Sequence, residues 1–173
     1  KLTGMNEADQ YHYLEDRFDL EVDEEGFFQL YDEKADVIYE EKVELLPDIN
    51  ETLNHFQKKG LKTGLVSSSV ESWINKVMNR FTLEKEFDII LSAENIESES
   101  KPNPQIYLIA AEKIGVEPEE CLVIEDSENG VEAAKSAGMY CIGLDGGKGQ
   151  DLSNADEVIK NRDEVSSRVE ELI

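Results

Sequence analysis

The sequence predicts an α/β fold in which a doubly wound parallel sheet is joined to a small helical cap domain. From residue 44 onward, short apolar runs alternate with stretches of helical periodicity, as in right-handed βαβ units. Residues 1–43 show helical periodicity and no convincing strand. The length of 173 residues accommodates one such domain with a small appendage. We therefore expect a helical cap over residues 1–43 and an α/β core over residues 44–173.

The cap region is expected to contain two helices, each with apolar residues on one face. The first begins at Asn6 or Asp9 and extends through Phe18. The second begins at Asp23 or Glu24 and carries several aromatic residues. Aromatic residues at helical spacing usually face their own bundle, so we expect packing here in preference to ligand contact.

The core region is expected to contain five strands separated by helices. The predicted strands are residues 62–67, 87–91, 121–124, 140–144 and 156–159. The predicted helices are residues 47–59, residues 70–80, a stretch after 104 that ends at Gly115, and residues 128–137. Short apolar runs bounded by polar residues are typical of buried parallel strands.

The charge of the chain limits the partners that it can have. Seventeen basic residues against forty acidic ones give a net charge of -23. This excess of negative charge argues against nucleic acid and anionic membranes as partners. The acidic residues are spread along the chain, which is typical of a solvated folded surface and of proteins from a salt-rich cytoplasm.

The cysteines and the absence of targeting patterns bear on location. Cys121 and Cys141 lie in predicted core strands without a Cys-x-x-Cys pair, as expected of buried thiols in a reducing compartment. No stretch resembles a signal peptide or a membrane span. We expect a cytoplasmic monomer.

Two adjacent carboxylates follow directly after the predicted strand at 121–124. Ligands of open α/β sheets bind beyond the carboxyl ends of the strands, where Glu125 and Asp126 are placed. Two unpaired carboxylates repel unless they share a cation, and their hard oxygen atoms suit Mg²⁺. A structural alternative is that Asp126 or Ser127 caps the helix that begins near Glu128.

Two further loops carry polar residues after predicted strands. Ser67 ends the strand at 62–67, and Ser68 and Ser69 follow it just before a helix. Serines in this position either bind an anion or simply cap the helix. Lys101 precedes Pro102, which keeps its backbone extended. A lysine in this loop neutralises a phosphate or is merely solvated.

Three parts of the chain resemble, in order, the second, third and fourth motifs of the haloacid dehalogenase superfamily. They are Gly64–Ser69, Lys101–Tyr107, and Val123–Gly130 with Ala133–Met139. The fourth motif has the form Glu-Asp-Ser here, which is similar to the same motif in the β-phosphoglucomutase-like branch of the superfamily. The resemblance covers essentially the whole chain. It implies a Rossmann-like core with a helical cap and Mg²⁺-dependent phosphoryl transfer from a small phosphorylated metabolite.

The resemblance also implies roles for individual residues. Ser67, with Ser68 and Ser69 beside it, binds the transferring phosphoryl group. Lys101 stabilises the charge of that group and of the nucleophile. Glu125 and Asp126 hold Mg²⁺.

The resemblance further places substrate contacts in the cap, at Gly4 and Glu7. In related sugar phosphomutases an arginine in the cap holds the second phosphate of a bisphosphate, and an ungapped alignment puts Glu7 at that position. A carboxylate repels a phosphate dianion. We therefore expect a phosphatase in preference to a phosphomutase.

The first motif of the superfamily, Asp-x-Asp on the first strand, does not occur in the sequence. By resemblance, that strand lies between the strand ending at Ser67 and the strand ending at Glu125, and one of its aspartates is the nucleophile. We expect the natural protein to have an additional amino-terminal segment with this motif. The alternative of another class is a non-catalytic module that keeps a phosphate and metal pocket.

Overall fold

The computed structural model describes residues 7–45, 49–97 and 99–173. These residues form two compact units that divide after Glu97, here called the amino-terminal unit and the carboxy-terminal unit. The helices are α1 (Glu7–Glu15), α2 (Glu24–Val37), α3 (Ile49–Lys58), α4 (Glu71–Phe81), α5 (Gln105–Ile114), α6 (Glu128–Ser136) and α7 (Glu164–Leu172). The strands are β1 (Gly64–Ser67), β2 (Ile89–Ser92), β3 (Leu122–Glu125), β4 (Tyr140–Leu144) and β5 (Glu157–Ile159). Within these ranges, no helix is long and apolar enough to cross a membrane.

β1 and β2 are the parallel strands of the amino-terminal unit, and α4 connects them. Ser67 pairs with Ser92 at the end of the ladder. The prediction of a βαβ unit is confirmed, although β1 is shorter than the predicted run. Its start is limited at Thr63, whose backbone N–H donates to the Asp88 carboxylate (2.8 Å) in place of a strand partner.

α2, the second helix of the predicted cap region, packs against α4 as well as against α1. The indole N–H of Trp73, on α4, donates to Asp32 Oδ1 at 3.0 Å. Tyr31 stacks on the indole ring with ring centroids 6.1 Å apart, and Tyr39 contacts the same ring. Tyr31 and Tyr39 therefore pack against α4.

For the two helices of the predicted cap region, one predicted end is confirmed and one is wrong. Asp23 caps α2, as expected, because its carboxylate accepts from the Gly26 N–H at 3.0 Å. The prediction that the first helix extends through Phe18 is wrong. The Arg17 side chain donates to the Tyr13 carbonyl where α1 ends, and Phe18 is exposed beyond it.

The carboxy-terminal unit contains a parallel sheet in the order β3-β4-β5. Glu125 lies opposite Gly143 at the end of β3. The side of α6 that packs on this sheet is formed by small residues, with Val131, Ala133 and Ala134 fully buried. This close packing holds the amino end of α6 beside the end of β3.

The two cysteines are free, and they differ in burial. Cys141 is fully buried on β4, and burial raises the pKa of its thiol to about 12. Cys121 is only partly buried, so the expectation of two buried thiols holds for Cys141 alone.

The structure adds the helix α7, which was not predicted from the sequence. Arg168 Nε donates to Glu157 Oε2 at 2.6 Å, and Tyr140 donates to the other oxygen of the same carboxylate at 2.5 Å. These bonds connect α7 to β5 and β4, and they lower the pKa of Glu157 to about 2.

The predicted α/β class is confirmed, and all five predicted strands are present. Among the described residues, β1 pairs only with β2 and β3 pairs only with β4. The parallel strands therefore form two sheets. The division at residue 43 between cap and core stays a prediction.

Candidate active site

Ser127 is the residue that caps α6. Its hydroxyl accepts from the Gly130 N–H at 3.1 Å, so of the two capping alternatives the structure selects Ser127. Asp126 is thereby left with a side chain that takes no part in the cap. One short turn joins Glu125, at the end of β3, to the start of α6.

Lys101 and Glu125 form a buried ion pair at the end of β3. Lys101 Nζ lies 2.5 Å from Glu125 Oε1, and Lys101 is 6% exposed. Tyr107, on the first turn of α5, donates its hydroxyl to the same oxygen at 2.6 Å. The hydroxyl also accepts from Lys101 Nζ at 2.9 Å. The three side chains therefore form a closed triangle of hydrogen bonds.

The second oxygen of Glu125 is held by the turn that starts α6. Oε2 accepts from the backbone N–H groups of Asp126 (3.1 Å) and Ser127 (3.3 Å) and from the Ser127 hydroxyl (3.0 Å). Burial by itself raises the pKa of the Glu125 carboxyl. The charge of Lys101 and the hydrogen bonds from Lys101, Tyr107 and Ser127 outweigh it, so this pKa lies below its ordinary value. Glu125 is therefore ionised and fully engaged.

Gly130 allows Glu125 to occupy this position. A Cβ atom built on Gly130 would lie 2.1 Å from Glu125 Cδ and 2.2 Å from each carboxylate oxygen. The carboxylate therefore rests directly on the backbone of the first turn of α6, where only glycine leaves room.

Asp126 has a different environment from its neighbour. Its carboxylate forms an ion pair with Lys148 (3.0 Å), and the two side chains are 47% and 57% exposed. Lys148 lies in the loop after β4, and Gln150 of that loop accepts from the Glu128 N–H at 3.3 Å. Each of the two adjacent carboxylates thus has its own lysine, one buried and one exposed.

The structure places the serine segment at the end of β1, in the amino-terminal unit. Ser67 Oγ accepts from the Ser69 N–H at 3.1 Å, and the buried Ser92 hydroxyl donates to the Ser69 carbonyl at 2.7 Å. The N-cap of α4 is Val70, with no side-chain hydrogen bond. The N-cap position of α4 is therefore occupied by Val70 and not by one of these serines.

The remaining predicted site residues lie at the edge of the description. Gly4 is outside the described residues. Glu7 is the first residue of α1, but its side chain is not among the described parts of the structure. Their role as substrate contacts stays a prediction.

The Asp126 carboxylate is better placed than that of Glu125 to bind a metal ion. Among the described residues, no group of three or more His, Cys, Asp and Glu side chains is placed to hold a metal ion. The cation that neutralises Glu125 in the structure is the Lys101 ammonium, whereas Asp126 is exposed and has a surface ion pair. Mg²⁺ is commonly held by one or two carboxylates together with water and phosphate oxygens, so Asp126 fits it. Their assignment as magnesium ligands stays a prediction.

Three contributors to the site were missing from the residue roles derived from the sequence. Tyr107 stands in the third motif segment, but only the fold shows that its hydroxyl reaches Glu125. No role for Lys148 was derived from the sequence. Its position after β4, at the carboxyl end of the strand next to β3, was the available signal. Gly130 ends the segment Val123–Gly130 of the fourth motif. Its close approach to Glu125 depends on the geometry of the turn between β3 and α6.

Comparisons with known proteins agree with these motifs. Residues 4–138 match the family described as haloacid dehalogenase-like hydrolase. The chain is 41% identical over 133 residues to the proposed phosphatase YhcW of Bacillus subtilis, covering 76% of this chain and 59% of that protein. It is 31% identical over 139 residues to a phosphorylated carbohydrates phosphatase of Thermotoga maritima, covering 80% of this chain and 64% of the relative. The chain thus spans less than two thirds of the length of either relative.

A solved structure extends the similarity to the fold. The crystal structure of β-phosphoglucomutase from Clostridium difficile superposes with a TM-score of 0.79 at 26% identity. The match covers 98% of this chain and 78% of that protein.

Proposed function

Because the chain belongs to the haloacid dehalogenase-like hydrolase family, we propose that it supplies the lysine and carboxylate part of a site for Mg²⁺-dependent phosphoryl transfer. The proposed reaction is hydrolysis of a small phosphorylated metabolite such as a sugar phosphate. The observation that carries the proposal is the buried Lys101 ammonium held between Glu125 and Tyr107. A preorganised cation stabilises the charge of a transferring phosphoryl group.

The proposed chemistry has two steps. A carboxylate oxygen attacks the phosphorus, the ester P–O bond breaks, and the leaving oxygen takes a proton. Water then hydrolyses the aspartyl-phosphate and releases inorganic phosphate. The nucleophile is assigned to an aspartate outside residues 1–173, because these residues contain no Asp-x-Asp pair.

The residues of this chain have separate proposed tasks. Lys101 offsets negative charge on the phosphoryl group. Ser67, with the backbone N–H groups around Ser68, binds its oxygen atoms. Asp126, with Glu125 beside it, would hold Mg²⁺, which supplies further charge neutralisation when bound.

A panel of phosphorylated metabolites, assayed on the full-length protein for release of inorganic phosphate with and without Mg²⁺, tests the proposal. We expect turnover of one or more sugar phosphates that depends on Mg²⁺. The second candidate is a sugar phosphomutase, supported by the similarity to β-phosphoglucomutase. Conversion of β-glucose 1-phosphate to glucose 6-phosphate in the presence of the bisphosphate, without free phosphate, would establish the mutase instead.

A non-catalytic module is the candidate from another class, and it is motivated by the missing Asp-x-Asp pair. Isothermal titration with Mg²⁺ and inorganic phosphate, performed beside the turnover assay, separates the two. Binding of both ions without turnover of any substrate by the full-length protein would favour the module.

Replacing Lys148 with methionine is expected to strengthen Mg²⁺ binding about two- to fivefold. A cation at Asp126 has to displace the Lys148 ammonium, and an exposed ion pair is worth about 0.4–1 kcal/mol. Titration calorimetry of the full chain with Mg²⁺ measures the change.

Lys113→Met is the matched control for this measurement. Lys113 is an exposed lysine in the last turn of α5, so the variant removes the same charge from another surface. Equal effects of the two substitutions would show that net charge, and not the contact with Asp126, governs metal affinity.

A further inference from the structure

Lys101 reaches Glu125 from a loop, and the helix that follows this loop carries a second anchor for its ammonium group. The loop is ordered by Asn103, which donates its N–H to the Ser100 carbonyl at 2.9 Å and accepts from the Gln105 N–H at 2.9 Å. α5 begins directly after it and positions Tyr107, which is 4% exposed. The lysine and its second anchor therefore come from one continuous segment.

The Tyr107 hydroxyl takes part in two hydrogen bonds of different direction. A phenol hydroxyl has an ordinary pKa of about 10, so the Tyr107 hydroxyl carries its proton at neutral pH. That proton is donated to Glu125, which leaves the hydroxyl oxygen free to accept from Lys101. The hydroxyl thus bridges the two charged groups.

The ring of Tyr107 adds a further contact. Lys101 Nζ lies 4.6 Å from the ring centroid, within cation–π distance. A lysine ammonium has three N–H groups, and among the described residues two of them are engaged, by Glu125 and by Tyr107. The third N–H has no acceptor among the described residues.

We propose that Tyr107 is a positioning residue for phosphoryl transfer: its hydroxyl fixes the Lys101 ammonium on Glu125, so that the remaining N–H of Lys101 is presented to the phosphoryl group. Glu125 alone constrains a flexible side chain at a single oxygen atom. With Tyr107 the ammonium has two acceptors, and its rotation is restricted. The kinetic part of this inference rests on the proposed function, whereas the geometry of the ammonium group does not.

Tyr107→Phe tests the inference, because it removes the hydroxyl and keeps the ring. We expect kcat for the phosphorylated substrate to fall about tenfold with KM changed less than twofold, as for an interaction that is strongest in the transition state. In ¹⁵N-labelled full-length protein, the ammonium protons of Lys101, assigned by their loss in Lys101→Met, should exchange with water at least tenfold faster.

Tyr140→Phe is the matched control. It removes another tyrosine hydroxyl that donates to a carboxylate, that of Glu157, in the same unit. We expect it to leave both kcat and the exchange of the Lys101 ammonium unchanged.

Each outcome decides the inference. Unchanged ammonium exchange in Tyr107→Phe, or equal effects of the two tyrosine substitutions, would overturn it. If the unsubstituted protein turns over no substrate, the proposed function fails, and the exchange measurement still decides the positioning role.

Discussion

Replacing Lys101 with methionine is expected to lower the free energy of unfolding by about 3 kcal/mol at pH 7, because it leaves the Glu125 carboxylate buried without its cation. The side chains of this pair are 5% and 11% exposed. Urea denaturation of the full chain, followed by far-ultraviolet circular dichroism, measures the loss. Under the proposed function, the same substitution is expected to abolish phosphoryl transfer.

Lys135→Met is the control for this substitution. Lys135 pairs with Asp156 at 2.7 Å in the same unit, but these side chains are 29% and 28% exposed. Water screens such a pair, so we expect a loss of about 1 kcal/mol or less. Equal losses would contradict the burial argument. Adding Glu125→Gln to Lys101→Met should recover most of the stability, because the amide is uncharged and its oxygen still accepts hydrogen bonds.

The contribution of Glu125 to the free energy of unfolding should depend on pH with opposite signs in the unsubstituted chain and in Lys101→Met. In the unsubstituted chain the pKa of Glu125 is lowered, so its stabilising contribution is present above the ordinary carboxyl pKa of about 4.3 and is lost as pH falls through the folded-state value. In Lys101→Met, uncompensated burial is expected to raise that pKa. The deficit of the variant should therefore shrink between pH 7 and pH 5.

Replacing Gly130 with alanine is expected to destabilise the chain by about 2 kcal/mol, as overpacking in a well-packed site does. The added Cβ would lie 2.1 Å from Glu125 Cδ, so the carboxylate has to move away from its donors. At an unobstructed position within a helix, the same substitution stabilises by about 1 kcal/mol. The sign of the change in unfolding free energy, measured by urea denaturation, therefore reports the contact.

A double-mutant cycle provides the control. In the Glu125→Ala background the obstructing carboxylate is absent, and Gly130→Ala should be neutral or stabilising. A similar loss in both backgrounds would show that Gly130 is required for a reason unrelated to Glu125.

The parts of the site that follow from local sequence were predictable. The apolar residues before Glu125 specify β3, and a serine three residues before Gly130 is a cap pattern. The Lys101–Glu125 contact joins residues 24 apart, and no local pattern encodes how the loop before α5 returns to the end of β3. The expectation of two unpaired carboxylates sharing one cation therefore missed the separate lysine of each.

Outside the site, the limits of sequence reasoning have the same origin. Alternating strands and helices in the core follow from periodicity and glycine positions, and all five strands are present. Bonds from Arg168 to Glu157 connect α7 to β5, and this is a tertiary feature. The packing of α2 on α4 through Trp73 is tertiary as well.

Trp73 gives the chain a built-in optical probe. It is the single tryptophan of the sequence, and its indole ring stacks on Tyr31 and donates to Asp32 in the amino-terminal unit. Its fluorescence therefore reports the docking of α2 on α4, whereas Lys101 and Gly130 belong to the carboxy-terminal unit. Unfolding curves from fluorescence and from circular dichroism coincide only if both units melt in one cooperative transition.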